Sequence, residues 1–185
     1  MNRNLVVVGT AGDAQVAYKW TPEAGYTPLM ASTGHPWATD INDSGYIVGY
    51  SDTEFDRKAF LWEPNGSRRE LFGGERIGSH PHINSAGDVV AFYAPGLANQ
   101  AVAVASLDGT VHSFPAIPVP RSVDGISNEG RLIGTSPVDG AMRRWTFYRN
   151  QLTWLDPPPG VMGDYVQPTG LDRCGNVVGQ VLRGV

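Results

Sequence analysis

Ile41-Asn42-Asp43-Ser44-Gly45-Tyr46-Ile47-Val48-Gly49 is the stretch on which the fold turns. It reads as the end of one strand, a tight turn rich in side-chain acceptors with a glycine able to take positive φ, and the start of a second, apolar strand. The same pattern, (I/L)-x-x-x-G-x-(I/V/L)-(V/I)-(G/A), returns from Ile83, Ile126 and Leu171. Its first glycines, Gly45, Gly87, Gly130 and Gly175, are 42, 43 and 45 residues apart. That period is the length of one four-stranded propeller blade.

Outward from this turn, each unit divides into four segments. Segment a ends at the Ile-Asn pair or its equivalent, and segment b is the Val-rich stretch after the glycine. Segment c is Ala17–Trp20, Ala59–Trp62, Ala101–Val104 and Trp145–Tyr148; segment d ends at Leu29, Leu71, Phe114 and Leu155. Asn65-Gly66 and Asp108-Gly109 are strong hairpin signals between c and d. Apolar runs such as Ala59-Phe60-Leu61-Trp62 fit strands buried on both faces, as stacked blades require. Trp20 and Trp62 are therefore expected in the core, as are Trp145 and Trp154, although no other unit has Trp at those two places.

Segments a, c and d each occur four times, but b occurs five times, because Leu5–Gly9 is a further copy. The expected fold is all-β: residues 1–185 as a single small β-propeller of about 43-residue blades. Four blades would close between N- and C-terminal strands, with one b segment left over. The alternatives are an incomplete five-bladed ring or a strand-exchanged dimer.

Composition agrees with many short strands joined by turns: the chain holds 23 Gly and 14 Pro, and no long amphipathic helix can be traced. A net charge of −4 argues against nucleic acid as a partner. Of the 14 basic residues only Lys19 and Lys58 are lysines, so the basic surface is made of planar guanidinium groups. Cys174 is alone, which excludes an intramolecular disulfide. The apolar run Leu5–Val8 is too short for a membrane span or signal core, so a cytoplasmic location is expected, with secretion after removal of a leader as the alternative.

The run Ile41–Ser51 followed by Ala59-Phe60-Leu61-Trp62 resembles the HAF repeat, a family of bacterial repeats regarded as extracellular, with Lys58 where that family has His. The resemblance covers the chain with decreasing fidelity from unit to unit. It implies a propeller-like repeat and carries no catalytic residues over.

Strand direction reverses at each turn, so the a-to-b and c-to-d turns share one end and the longer b-to-c and d-to-a connections share the other. Unequal loops on a rigid scaffold are where binding residues concentrate. On that face the expected partner-binding residues are His35, Trp37, His80, His82, Arg121, Asp164 and Tyr165 from d-to-a connections, and Asp56, Arg57, Tyr93 and Asp139 from b-to-c connections. A three-histidine metal site from His35, His80 and His82 is disfavoured because the two His-Pro loops differ in phase, and Asp40-x-Asn42-x-Ser44-Gly45 lacks the Glu that completes a calcium loop, so no metal or cofactor is expected. No Gly-x-Ser-x-Gly or His-Glu-x-x-His motif occurs.

The sequence-level expectation is a non-catalytic module that binds a protein partner, in one version a bacterial inhibitor or immunity protein, as a monomer or strand-exchanged homodimer. A carbohydrate-binding propeller using Trp37, Tyr93, Trp145 and Tyr165 as stacking platforms is second, and a hydrolase third.

Overall fold

Period-two alternation in the repeat is what builds the molecule. A computed structural model describes residues 1–12, 16–30, 34–54, 56–93, 100–114, 117, 121–156, 165–172 and 174–182. Its seventeen strands form five antiparallel sheets. The first holds β1 (Val7–Ala11), β2 (Val16–Thr21) and β3 (Gly25–Leu29). Three four-stranded sheets follow: β4 (His35–Ile41) to β7 (Arg68–Glu70) through β5 (Ile47–Asp52) and β6 (Arg57–Trp62); β8 (His82–Ile83) to β11 (Val111–Phe114) through β9 (Val89–Tyr93) and β10 (Ala101–Ala105); and β12 (Ser122–Ile126) to β15 (Gln151–Trp154) through β13 (Leu132–Val138) and β14 (Ala141–Tyr148). β16 (Tyr165–Leu171) and β17 (Val177–Leu182) make the last.

Successive sheets meet through one edge strand each: β4 touches β1 and β8, and β12 touches β8 and β16. Neighbouring residues of one strand serve opposite interfaces. Ile47, Phe60 and Trp62 pack toward the first sheet with Ala17 and Leu29, whereas Val48, Ala59 and Leu61 pack toward the third with Val89, Ala91 and Ala103. Val90, Phe92 and Val102 continue the pattern against Leu132, Trp145 and Phe147 of the fourth. A one-residue slip would exchange the two interfaces of a sheet, so the repeat fixes register strongly.

The small residue that closes the repeat motif has a structural reason. Gly49 pairs with Ala38 and Gly134 with Val123, each beside a one-residue bulge in the inner strand, at Thr39 and Asp124. A Cβ on Gly49 would lie 1.8 Å from the Trp37 carbonyl oxygen, and one on Gly134 would lie 2.5 Å from that of Ser122. Gly179 likewise pairs with Pro168 beside the bulge at Thr169. The third sheet has Ala91 at this position, and its inner strand β8 has only two residues and no register shift.

The turns are tied to one another. The Asn42 side chain accepts from the Tyr46 amide at 3.0 Å and donates to the Asn84 carbonyl at 3.1 Å. Asn84 does the same with the Asp88 amide and the Ser127 carbonyl. Asn2 is a fifth copy: it accepts from Val6 and donates to the Asn42 carbonyl, and its turn repeats the backbone bonds of the others, with Leu5 at φ 59° where they have Gly. Asn42 is thus spent on the hairpin and its neighbour.

Three expectations are corrected. Among the described residues no sheet joins β1–β3 to β16–β17, and the expected four-blade closure is not seen: β1 and β17, the first and last b segments, lie in separate sheets. The b-to-c connection that carries Asp139, expected among the longer loops, is instead strand on both sides, turning at Asp139-Gly140, where φ is positive at both residues, the signature of a tight hairpin. Trp145 is fully buried and donates from Nε1 to Ser136 Oγ at 2.9 Å, so it is a core residue and not a sugar platform.

Candidate active site

The inner strands enclose a central cavity of about 230 Å³, lined by Asp40, His82, Asp124 and Asp172 together with Asn42 and Asn84. A second cavity of about 210 Å³ opens at the long-loop end, lined by Arg57, Ser79, His80, His82, Arg121 and Asp124 among others. His82 and Asp124 line both.

Asp40 and His82 occupy equivalent places, each one residue before the isoleucine that ends its inner strand. His82 Nδ1 lies 3.7 Å from Asp40 Oδ2, both side chains about one-third exposed. The carboxylate is held in place from the backbone, accepting from the Ile41 amide at 2.8 Å and the Ile83 amide at 3.1 Å. The bulge at Thr39 contributes, since extra strand residues re-aim the side chains beside them; Thr39 Oγ1 itself donates to the Pro81 carbonyl at 2.7 Å, locking the two inner strands together.

Above this pair, Trp37, Tyr50 and His80 form a stack, with ring centroids 6.0 Å and 5.0 Å apart and nearly parallel planes. Arg57 lies over Tyr50 at 4.4 Å and makes a two-pronged bond to Asp52, at 2.7 and 3.1 Å. That bond holds the guanidinium firmly charged. Partial burial, with the neighbouring Arg57 and His82, holds the His80 imidazole below its ordinary value against an opposing pull from Asp52. Its environment therefore favours the neutral imidazole over the charged one. Burial pushes the Tyr50 phenol up, so it remains a proton donor. On the facing strand, Arg144 lies 3.5 Å from Asp124 and bonds Thr135.

Of the residues singled out in the sequence, Arg57, His80, His82 and Arg121 converge on this mouth, and Trp37 joins them through Tyr50. The others do not converge on it. His35 is exposed and pairs in the ladder with Asp52. Asp56 sits in a short turn, its carbonyl accepting from the Thr53 amide at 2.8 Å. Tyr93 packs on Phe72 at 5.9 Å. Asp139 is exposed at the β13–β14 hairpin tip. Asp164 lies outside the described residues, and Tyr165 is placed only as the first residue of β16. Loop reasoning missed Asp40 and Asp124, which are strand residues. The signal that finds them is the column just before the motif's Ile or Leu, which reads Asp40, His82, Gly125 and Gly170, together with the bulged position before it.

No group of three or more His, Cys, Asp or Glu side chains among the described residues is arranged to hold a metal ion. Among them, no helix is long and apolar enough to cross a membrane.

The fold is that of β-propeller proteins, all-β with repeated four-stranded antiparallel sheets. Among solved structures the chain is similar to a streptogramin B lyase, with a TM-score of 0.59 at 14% identity over 99% of this chain and 67% of the other. It is also similar to a candidate gluconolactonase, with a TM-score of 0.51 at 17% identity over 97% and 74%. Virginiamycin B lyase from Staphylococcus aureus gives 0.52 at 14% identity over 88% of this chain and 59% of that one. No protein-family model and no curated protein matches the sequence. These neighbours carry the names of enzymes, and that finding overturns the expectation of a non-catalytic binding module. At such identities the likeness establishes the fold alone.

Proposed function

We propose that this chain is a lyase- or hydrolase-type enzyme that works by general acid–base chemistry at the long-loop mouth of its central cavity. The observation that carries the reading is the pair of imidazoles there, His82 beside the backbone-anchored Asp40 carboxylate and His80 stacked on Tyr50. A base for proton abstraction at neutral pH needs a pKa near or below 7 and a fixed orientation. His80 meets the first condition through burial and the adjacent guanidinium. His82 meets the second, because Asp40 at Nδ1 leaves Nε2 as the nitrogen that takes the proton. The 3.7 Å separation is longer than a hydrogen bond, and catalytic contacts of this kind tighten when substrate binds. Tyr50 is placed to return a proton or polarise a leaving oxygen, its hydroxyl lying 3.4 Å from His80 Nε2.

Elimination and hydrolysis share this machinery. They differ in whether the base takes its proton from carbon or from water, and the names of the neighbouring propellers favour this pair of reaction types. The test is turnover of a panel of lactones and cyclic esters by the purified chain, read as ring opening, with His82→Gln and His80→Gln alongside. Activity that falls in both variants supports the reading; activity indifferent to both, or none across the panel, removes it.

A further inference from the structure

We propose that the mouth binds its substrate through an oxyanion, a carboxylate or a phosphate, seated on the Arg121 guanidinium. The inference rests on the acid–base reading for its role in catalysis, but the binding it describes stands on charge alone. The charged groups facing this cavity are mostly compensated. Arg57 is paired with Asp52 and Asp124 with Arg144. Arg121 lines the same cavity, is exposed, and has no side-chain hydrogen bond or ion pair among the described residues. Its backbone is nevertheless fixed, because its amide donates to the Thr135 carbonyl at 2.6 Å. One positive charge on an anchored residue is thus left without a counter-charge in a cavity that His80 and His82 also line.

The planar fork of a guanidinium matches the paired oxygens of a carboxylate or phosphate and holds them with direction as well as charge. A cavity of about 210 Å³ is smaller than the range for drug-sized ligands, so it suits the head group of a small molecule. The imidazoles then lie against the atoms adjoining that group, where a base is needed.

The probes are sodium acetate and inorganic phosphate, titrated at constant ionic strength while the ring Cε1–H signals of the four histidines are followed by NMR. Saturable shifts at His80 and His82, with His112 on β11 as the unaffected reference, are expected in the unaltered chain. In Arg121→Gln the same probe is expected to bind at least tenfold more weakly, with unchanged urea unfolding. The anion that saturates first identifies the head group as carboxylate or phosphate. Linear, non-saturating shifts with both anions, or equal responses in the chain and the variant, overturn the proposal. Because the titration needs no turnover, failure of the ester panel with a saturable Arg121-dependent response would remove the acid–base reading and leave this one standing.

Discussion

Asp40 and His82 stand at the same position of adjacent inner strands and meet at 3.7 Å on the wall of the central cavity. The repeat that builds the sheets also brings unlike residues together at its axis: one column holds a carboxylate in one unit and an imidazole in the next. Asp40→Asn keeps the size but removes the charge that orients His82, and its single amide oxygen can accept from only one of the Ile41 and Ile83 amides. We expect kcat to fall by about 100-fold, the lower end of what a positioned acid–base group contributes. Combining it with His82→Gln adds little further loss, as residues acting as a unit are non-additive. A double-mutant cycle on kcat checks this.

His80 makes a pH prediction with a definite sign. Its folded pKa lies below the ordinary histidine value, so below a pH of about 6.5 the unfolded chain binds the proton more readily than the native one. Stability at this position is unaffected above that pH and falls as pH drops through the unfolded value toward the folded one. His80→Asn should lessen the acid-side loss, as read by urea midpoints at pH 7 and 5. The acid limb of kcat/KM should likewise lie below about 6.5, the value of an unperturbed histidine.

Gly49→Ala sets a Cβ against the Trp37 carbonyl, opposite the Thr39 bulge. Backbone cannot move aside as a side chain can, so the inner strand must shift, with a loss of about 3 kcal/mol, the upper end for overpacking. Gly66→Ala meets no atom within 4 Å, but φ is +92° there, so its smaller cost is strain alone. Comparing the two by denaturant unfolding separates collision from conformation.

Asn42→Ala removes a buried side chain that bonds the Tyr46 amide and the Asn84 carbonyl. Two net hydrogen bonds at roughly 1 kcal/mol each set the expected loss at about 2 kcal/mol. Ser44→Ala, at an exposed position of the same turn, should stay within about 0.5 kcal/mol.

The sheets were legible because glycine turns and two-sided apolar runs leave local marks: β5, β9, β13 and β17 begin within two residues of where the repeat puts segment b. The site was legible only in part. His80, His82, Arg57 and Arg121 stood out as chemistry-bearing residues on one face, but Asp40 reads as part of a turn until the bulge and the inner position of β4 turn it toward His82. Closure could not be read from segment counts, because a fifth b segment fits a shared blade and two separate sheets equally well. The Asn2 turn was hidden by Leu5 in the place of glycine.

The most direct test of the account is the rate of ester-ring opening by His82→Gln relative to the unaltered chain, on the best substrate of the lactone panel and with both proteins shown equally stable. A loss of about 100-fold or more is predicted for a positioned base. Equal rates in the two proteins would contradict an active site at the Asp40–His82 pair.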